Sequence, residues 1–266
     1  MPDPKKKKLE EPKPRKKRET PLEFLASMAV VLVTGLFIIT FNLQAFEIPS
    51  SSMENTLLIG DHVFVDRSTY APATRWTGPV MPYHEVRRGD IVVFLSPSEA
   101  GLYVVKRIIG IPGDRIHLKD GVVYRNGQAL TEPYLLHFCD DRTVACHSPY
   151  RENFPTVPPS GLDQVAPTPD WEMDLPSHIQ DGELVVPPDS FFGMGDNRLA
   201  SYDSRYWGFI PRQNIIGRPM FIYWSFDTPA RQWQKTDISD RLAWAGHVIW
   251  HFFDKTRWSR TLRVVR

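Results

Sequence analysis

The sequence is short of net charge, cysteine and internal repeats. Its 32 Lys and Arg nearly balance 31 Asp and Glu, for a formal charge of +1. Two cysteines in 266 residues allow at most one disulfide, which excludes a disulfide-rich scaffold. No repeat is detectable, and a chain of this length has room for one large domain or two small ones.

Proline and local charge are unevenly distributed. The chain has 24 prolines, which crowd into residues 149–188 and argue against a mainly helical protein because proline breaks helix interiors. Residues 1–21 carry nine Lys and Arg against four Asp and Glu, and residues 255–266 carry five basic side chains and no acid. The two ends of the chain therefore suit anionic surfaces, and the acidic middle does not.

Charge is absent altogether from residues 24–41. As a helix this stretch would cover about 27 Å, close to the thickness of a bilayer core, and uncharged flanking residues extend it. We therefore predict a basic cytoplasmic tail over residues 1–21 and a transmembrane signal anchor over residues 22–44. Because Lys and Arg favour the cytoplasmic side, everything after Phe46 is expected to lie outside.

Three other interpretations of this stretch are weaker. A nuclear-localisation or nucleic-acid-binding tail would not need the apolar stretch that follows the basic runs. A cleaved secretory signal has a shorter apolar region, about 7–15 residues, and small residues before the cut, where this chain has the large Leu43. A buried core helix is the third alternative. An uncleaved anchor fits best.

The part after the anchor is typical of short antiparallel strands. Residues that are β-branched or aromatic recur between frequent turns, such as Pro112-Gly113-Asp114 and Asn126-Gly127. The fold class is therefore predicted as mainly β, with an antiparallel β-sheet domain over residues 45–130 and 184–230. Strands are expected at residues 61–66, 91–95, 103–111, 116–118, 122–124, 184–186, 191–194 and 221–224.

Two segments fall outside this β-domain. Residues 131–183, rich in proline and weakly periodic, are predicted to form an inserted loop-rich subdomain. Residues 231–266 are predicted to be a basic amphipathic tail, in which residues 242–253 place Leu242 and Ile249 near one helical face. Twelve residues are too few to span a bilayer, so this helix either lies in the membrane interface or docks on the domain. The arginine-rich end slightly favours the interface.

The two cysteines lie in the insertion. Cys139 and Cys146 are flanked by His137 and His147, so a zinc site is conceivable. An oxidising extracytoplasmic compartment favours a disulfide, and free thiols are a third alternative. Neither a disulfide nor a zinc site at these cysteines would take part in catalysis.

Four stretches carry side chains suited to catalysis, although each is weak evidence alone. Serine clusters are mostly turns or helix caps, and an edge lysine usually extends its amine into water. In the strand that contains Lys106 and Arg107, however, both faces are otherwise apolar, and a buried lysine, unlike arginine, can lose its proton. The four stretches are residues 46–57, 88–94, 103–114 and 195–208.

In this order behind an N-terminal anchor, the four stretches resemble the boxes of the bacterial type I signal peptidases (leader peptidases), which are Ser/Lys serine proteases. The resemblance covers roughly residues 45–114 and 190–219. It implies a membrane-bound endopeptidase that removes signal peptides from exported preproteins, cutting after small residues at −3 and −1. It also implies a single pass through the bacterial inner membrane with the catalytic domain on the periplasmic side. The expected partners are secretory preproteins and membrane lipid, without nucleic acid, metal or cofactor.

The resemblance assigns roles to individual residues. Ser52 takes the place of the nucleophile and Lys106 that of the general base, while Ser50 joins the Ser52 backbone N–H in the oxyanion hole. Ser201 corresponds to a serine that hydrogen-bonds the lysine amine, and Asp203 and Arg205 correspond to a supporting ion pair. The side chains implied in binding the −1 and −3 residues are Phe46, Ile48, Leu57, Val63, Val93, Val104 and Val105.

The chain departs from the family pattern at three positions, none of which removes a catalytic group. Asn55 stands where the family usually has proline, Ser51 where glycine is common, and Leu199 where an acid is frequent. A histidine-based triad is the conventional rival to a Ser/Lys pair. Its candidate base, His62 beside Asp61, occupies a strand position with polar neighbours.

Overall fold

The computed structural model describes residues 20–70, 84–136, 148–159, 165–229 and 232–266. The chain divides into two compact units, with the boundary after Thr40. The first contains an apolar helix and the second is built mainly from antiparallel strands, so the predicted fold class is confirmed.

The apolar helix α1 spans Pro21–Phe41, and none of its side chains is buried. Its 21 residues correspond to about 32 Å, so it is long and apolar enough to cross a membrane. Thr20 and Glu23 form a capping box at its start: the Glu23 carboxylate accepts from Thr20 N at 2.8 Å, and Thr20 Oγ1 accepts from Glu23 N at 3.3 Å. The helix ends before the predicted residue 44 because Leu43 already pairs with Asp66 in a strand.

The strands of the second unit follow one another along the chain with short turns between most of them. They are β1 (Leu43–Glu47), β2 (Asp61–Asp66), β3 (Ile91–Leu95), β4 (Tyr103–Gly110), β5 (Arg115–Lys119), β6 (Val122–Arg125), β7 (Gln128–Ala129), β8 (Ile179–Gln180), β9 (Glu183–Val185), β10 (Ser190–Met194), β11 (Ile210–Pro211), β12 (Ile215–Ser225) and β13 (Arg263–Val264).

The described strands form two antiparallel sheets. The larger has the order β1-β2-β12-β3-β4-β10-β11, with β13 also paired to β12, and the smaller has the order β7-β6-β5-β9-β8. Strands β5, β6 and β9, predicted as part of a single β-domain, therefore build a sheet of their own. The chain leaves the larger sheet at the turn after β4, where Gly113 adopts a φ of +85° that favours glycine.

The other described helices lie between these strands or near the end of the chain. Those of the Pro-rich insertion are α2 (Pro149–Glu152) and α3 (Pro169–Asp174). In both, proline stands in the first turn, where its missing N–H is tolerated, and a side chain caps the N-terminus: Ser148 in α2 and Thr168 in α3. The remaining helices are α4 (Ser204–Trp207), α5 (Ile238–Trp250) and α6 (Phe252–Lys255).

Two hydrophobic cores lie on opposite sides of β3. Val92 and Phe94 belong to the larger core, whereas Ile91 and Val93 belong to the smaller one. This is the alternation expected of a strand buried on both faces. Strand β4 runs beside β3, so it also lies at the boundary between the cores.

Helix α5 contacts Phe226 of the β-domain and leaves other apolar side chains exposed. Trp244 packs edge-on against Phe226, with ring centroids 5.8 Å apart. Leu242 and Ile249 project elsewhere on the helix and remain 69% and 78% exposed. Beyond α6 the chain returns to the larger sheet: Thr256 forms a bridge with Phe226, and β13 pairs with β12.

Candidate active site

Ser52 lies in a tight turn that the smaller core holds in place. The turn, Ser51–Met53, follows β1, and its last residue is buried together with Leu57 in that core. The Met53 carbonyl accepts from Thr56 N at 3.1 Å and from Leu57 N at 2.8 Å. We call residues 50–60 the Ser52 loop. The Ser52 side chain is thereby fixed at the edge of the protein interior, with the residue 8% exposed.

Lys106 projects from β4 to meet this serine. Its Nζ donates to Ser52 Oγ at 2.8 Å, and the residue is only 3% exposed. Burial disfavours the charged ammonium and lowers the Lys106 pKa from 10.5 to about 8, although the charges of Asp203 and Asp196 partly oppose this. A substantial fraction of the amine is therefore neutral at mildly alkaline pH and able to accept a proton.

Ser50 lies beside the same hydroxyl. Its Oγ is 3.4 Å from Ser52 Oγ, at the long limit of a hydrogen bond. Ser50, Ser52 and Lys106 are thus brought together in one place.

Asp203 and Arg205 form a buried bidentate pair. Arg205 Nε and Nη2 donate to the two carboxylate oxygens, each at 2.9 Å. Burial raises the Asp203 pKa, but the adjacent Arg205 outweighs burial and holds that pKa at about 2. The same carboxylate accepts from Gly195 N at 3.1 Å, and Arg205 Nη2 also donates to Arg198 O at 3.0 Å. The pair therefore fixes residues 195–205, which we call the Asp203 loop.

Ser201 is buried against the other site residues but does not bond Lys106 as predicted. Its hydroxyl has no hydrogen-bond partner among the described residues, although its proximity to Asp203 helps to lower that carboxyl's pKa. The lysine amine is turned to Ser52, and the Ser201 hydroxyl lies against Gly195. A Cβ at Gly195 would come within 2.4 Å of both Ser201 Oγ and Ser52 O. Glycine therefore permits the two loops to touch.

A second buried ion pair, which the sequence did not reveal, ties the loops to β4. Arg107 Nε and Nη2 donate to the Asp196 carboxylate at 2.8 and 2.7 Å. Thr56 Oγ1 donates to the same carboxylate at 2.5 Å, and Asn197 N donates to Ser52 O at 3.1 Å. One signal in the sequence could have indicated this pair. Arg107 lies in an apolar strand, where it is expected to be buried, and a buried guanidinium requires a carboxylate partner.

The side chains predicted to bind substrate divide between the two cores. Val104 packs against the larger core, whereas its neighbour Val105 packs against the smaller one, because adjacent residues of a strand face opposite ways. Phe46, Val104 and Val105 are half-buried and able to touch a ligand. The others are buried within the smaller core: Ile48, Leu57, Val63 and Val93.

The remaining candidates are occupied or not described. The His62 ring stacks on Trp224 at 4.8 Å, and Asp61 pairs with Arg260 Nη2 at 2.5 Å, so a Ser–His–Asp triad is not assembled. The pair Cys139 and Cys146, with the histidines beside them, lies outside the described residues, so the disulfide and zinc alternatives stay predictions.

Comparison with known proteins gives a consistent result. The family model "Signal peptidase, peptidase S26" matches residues 22–224. A probable signal peptidase I-2 from Synechocystis is 32% identical over 220 residues, covering 79% of this chain and 78% of the relative. Signal peptidase I from Leptolyngbya laminosa is 33% identical and covers 78% of this chain and 82% of its own length.

Among solved structures, a signal peptidase I from Enterococcus faecalis is 31% identical, with a TM-score of 0.35, and covers 51% of this chain and 97% of that one. The family model includes α1, the Ser52 loop, Lys106 and the Asp203 loop within a single match. This chain belongs to the signal peptidase family, peptidase S26.

Proposed function

We propose that this chain is a membrane-anchored serine endopeptidase that removes signal peptides, with Ser52 as nucleophile and Lys106 as general base. The observation that carries the proposal is the 2.8 Å contact between a buried lysine amine and the serine hydroxyl. A serine hydroxyl is a weak nucleophile without a base, and a lysine acts as one only when burial has lowered its pKa.

In the acylation step Ser52 Oγ attacks the carbonyl carbon of the scissile peptide bond while its proton passes to Lys106 Nζ. The tetrahedral intermediate collapses, the C–N bond breaks, and the resulting ammonium gives its proton to the departing amine. The signal peptide is left as an ester on Ser52. In the second step a water molecule gives a proton to Lys106 Nζ and attacks the ester carbonyl carbon. The C–O bond to Ser52 then breaks, the signal peptide leaves as a carboxylic acid, and the Lys106 ammonium returns the proton to Ser52 Oγ.

The negative charge that develops on the carbonyl oxygen during attack needs hydrogen-bond donors close to that oxygen. Ser50 Oγ, 3.4 Å from Ser52 Oγ, and the Ser52 backbone N–H are the candidates for this oxyanion hole. One such donor is worth about 2.7–4 kcal/mol in other serine proteases. Asp203 and Arg205 support the site indirectly, because they fix the loop that carries Ser201.

Specificity for small residues at −3 and −1 is supported by the character of the nearby surface. Phe46 and Val105 are apolar, half-buried and packed on the same core as Met53, the residue after Ser52, which suits shallow contacts with small side chains. The substrates in this proposal are preproteins whose cleavage region emerges from the membrane. No cofactor enters the reaction.

The anchor and the C-terminal helix suit a site at a bilayer surface. Helix α1 is the candidate single pass, with the basic N-terminus in the cytoplasm and the catalytic unit on the periplasmic side of a bacterial inner membrane. The side chains of α5 are compatible with both alternatives, docking on the domain and contact with lipid. Trp244 packs on the domain while Leu242 and Ile249 remain available to lipid.

The test is cleavage of a preprotein that carries an Ala-x-Ala site by the detergent-solubilised full-length protein. The wild type should cut it, and Ser52→Ala should not. A folded Lys106→Met variant should bind the preprotein but leave it intact. Uncut substrate with the wild type, or equal cutting by Ser52→Ala, would overturn the proposal, and a binding protein without protease activity would be the alternative.

A further inference from the structure

The residues after α6 contact the backbone of the Ser52 loop directly. Arg260, only 9% exposed, donates through Nη2 to the carbonyl of Thr56 at 3.0 Å. Arg257 Nη1 donates to the carbonyl of Ile59 at 2.9 Å. Two arginines that lie far along the chain therefore hold the second half of the loop that presents Ser52.

Arg260 is itself held by a fully buried carboxylate. Its Nε and Nη2 donate to the two oxygens of Asp61, at 3.2 and 2.5 Å. Asp61 also accepts from Leu58 N at 2.8 Å and from Ser225 Oγ at 2.6 Å. The guanidinium thus joins the Ser52 loop, β2 and β12, and its geometry depends on all three.

The same segment is fastened to the sheet on its other side. Leu262 N donates to Ile222 O at 2.7 Å, and Val265 N donates to Met220 O at 2.9 Å. The Val265 side chain enters the smaller core, which also contains Met53, the residue after Ser52. Arg260 is therefore supported by a paired strand and a buried side chain, not by a free tail.

The Ser52 loop has a particular need for such support. At Asn55 the backbone adopts a φ of +88°, which proline, fixed near −65°, does not reach. The loop therefore lacks the local stiffness that a proline would give, and its shape depends on contacts from elsewhere. Asn55 Nδ2 bonds Tyr134 O at 3.0 Å on one side, and Arg260 bonds the next residue, Thr56, on the other.

We infer that Arg260 is a positioning residue for catalysis, which holds the Thr56 carbonyl so that Ser52 Oγ stays within reach of the Lys106 amine. The inference rests on the proposed function. Arg260 touches neither hydroxyl nor amine and acts only through the loop. Its loss should slow acylation more than it weakens substrate binding.

The test compares Arg260→Ala with Lys255→Gln in the detergent-solubilised full-length protein, with an Ala-x-Ala peptide as substrate. Both variants remove one positive charge from the same part of the chain, but Lys255 is exposed and lies 3.7 Å from an exposed Asp227. We expect Arg260→Ala to lower kcat by about tenfold or more with KM within about twofold, and Lys255→Gln to match the wild type. The pH midpoint of kcat/KM should not move, because the charges that act on the Lys106 pKa are those of Asp203, Asp196 and Arg205, and neither Arg260 nor its partner Asp61 is among them.

Two further measurements separate positioning from folding. Guanidinium ion, added at a concentration that does not unfold the protein, should partly restore kcat in Arg260→Ala and not in Ser52→Ala. Arg260→Lys keeps a charge beside Asp61, but its ammonium lacks the planar fork with which Arg260 Nε and Nη2 bond both Asp61 oxygens and, through Nη2, the Thr56 carbonyl. It should therefore fold and remain slower than the wild type, even if Arg260→Ala does not fold.

Wild-type kcat in a folded Arg260→Lys or Arg260→Ala variant would overturn the inference. A shifted pH midpoint would do so as well, because it would mean that the arginine acts on the base. The Ser52→Ala control keeps this result separate from the proposed function. If the wild type cuts no better than Ser52→Ala, the proposed function itself fails, whatever Arg260 does.

Discussion

In the proposed mechanism, the pKa of Lys106 determines the pH range in which the site can work. Burial lowers this pKa to about 8, and only the neutral amine can take the proton of Ser52. We expect kcat/KM to rise as the pH passes through about 8 and to level off above it, as measured with an Ala-x-Ala peptide between pH 6 and 10. A rate that is constant, or that falls, between pH 7 and 9 would contradict Lys106 as the base.

The same burial costs stability. A pKa that falls from 10.5 in the unfolded chain to about 8 in the folded one corresponds to roughly 3 kcal/mol, because the unfolded chain binds the proton more tightly. This penalty is absent above pH 10.5, grows as the pH falls, and is complete below pH 8. Lys106→Met should therefore be inactive but more stable than the wild type at pH 7.

Urea unfolding of both proteins at pH 7 and pH 10 measures this difference. The advantage of Lys106→Met should be larger at pH 7 and shrink at pH 10. The opposite pH dependence would mean that the lysine is charged and well paired in the folded protein.

Asn55 is the position where restoring the usual family residue should do harm. Its φ of +88° is open to glycine and tolerable for asparagine, but proline cannot adopt it. Asn55→Pro should force the Ser52 loop to move and lower kcat by about tenfold or more, whereas Asn55→Gly keeps the φ and loses only the bond to Tyr134 O. Peptide cleavage by both variants is the measurement, and an active Asn55→Pro enzyme would contradict the observed backbone.

At the scale of the element, α5 presents different faces to the domain and to its surroundings. Leu242 and Ile249 share an exposed face, while Trp244 packs on Phe226. In proteoliposomes, a spin label at Ile249 should be more accessible to oxygen in the lipid than to a water-soluble nickel complex. A label at Asp240, on another side of the helix, should show the reverse. Equal accessibility of the two labels to the nickel complex would show that α5 lies in water.

Elements were predictable from sequence where local pattern decides the structure. The strands around Val63, Val93 and Lys106 follow from β-branched runs between turns, and they appear as β2, β3 and β4. The division of the strands between two sheets was not predictable, because pairing depends on distant partners: β5 pairs with β9 across the whole insertion. The helices α2 and α3 were also missed, since four to six residues give too short a pattern to recognise.

The site divides in the same way. Resemblance to a family supplied Ser52 and Lys106 and implied that they meet. The ion pair between Arg107 and Asp196 and the contact of Arg260 with the Ser52 loop depend on tertiary packing, which no local spacing encodes. Charge placement along the sequence did not reveal that Arg260, near the basic end of the chain, would be buried.

At the scale of the whole molecule, the larger sheet joins segments made early and late in synthesis. Strand β1 follows α1 directly, and β13 pairs with β12 near the other end of the chain. Thr56 and Arg260 are 204 residues apart in sequence, yet they share a hydrogen bond. A sheet that pairs strands so far apart in sequence has many long-range contacts, which slow folding.

Because Arg260 lies near the end of the chain, its contact with the Ser52 loop has a consequence for the timing of activity. A ribosome releases Ser52 and Lys106 well before it releases Arg260, so a nascent chain carries both reactive groups without the arginine that steadies them. The protease would then switch on only after translation has passed Arg260. Nascent chains of the protease would therefore be poor catalysts while they are still being inserted into the membrane.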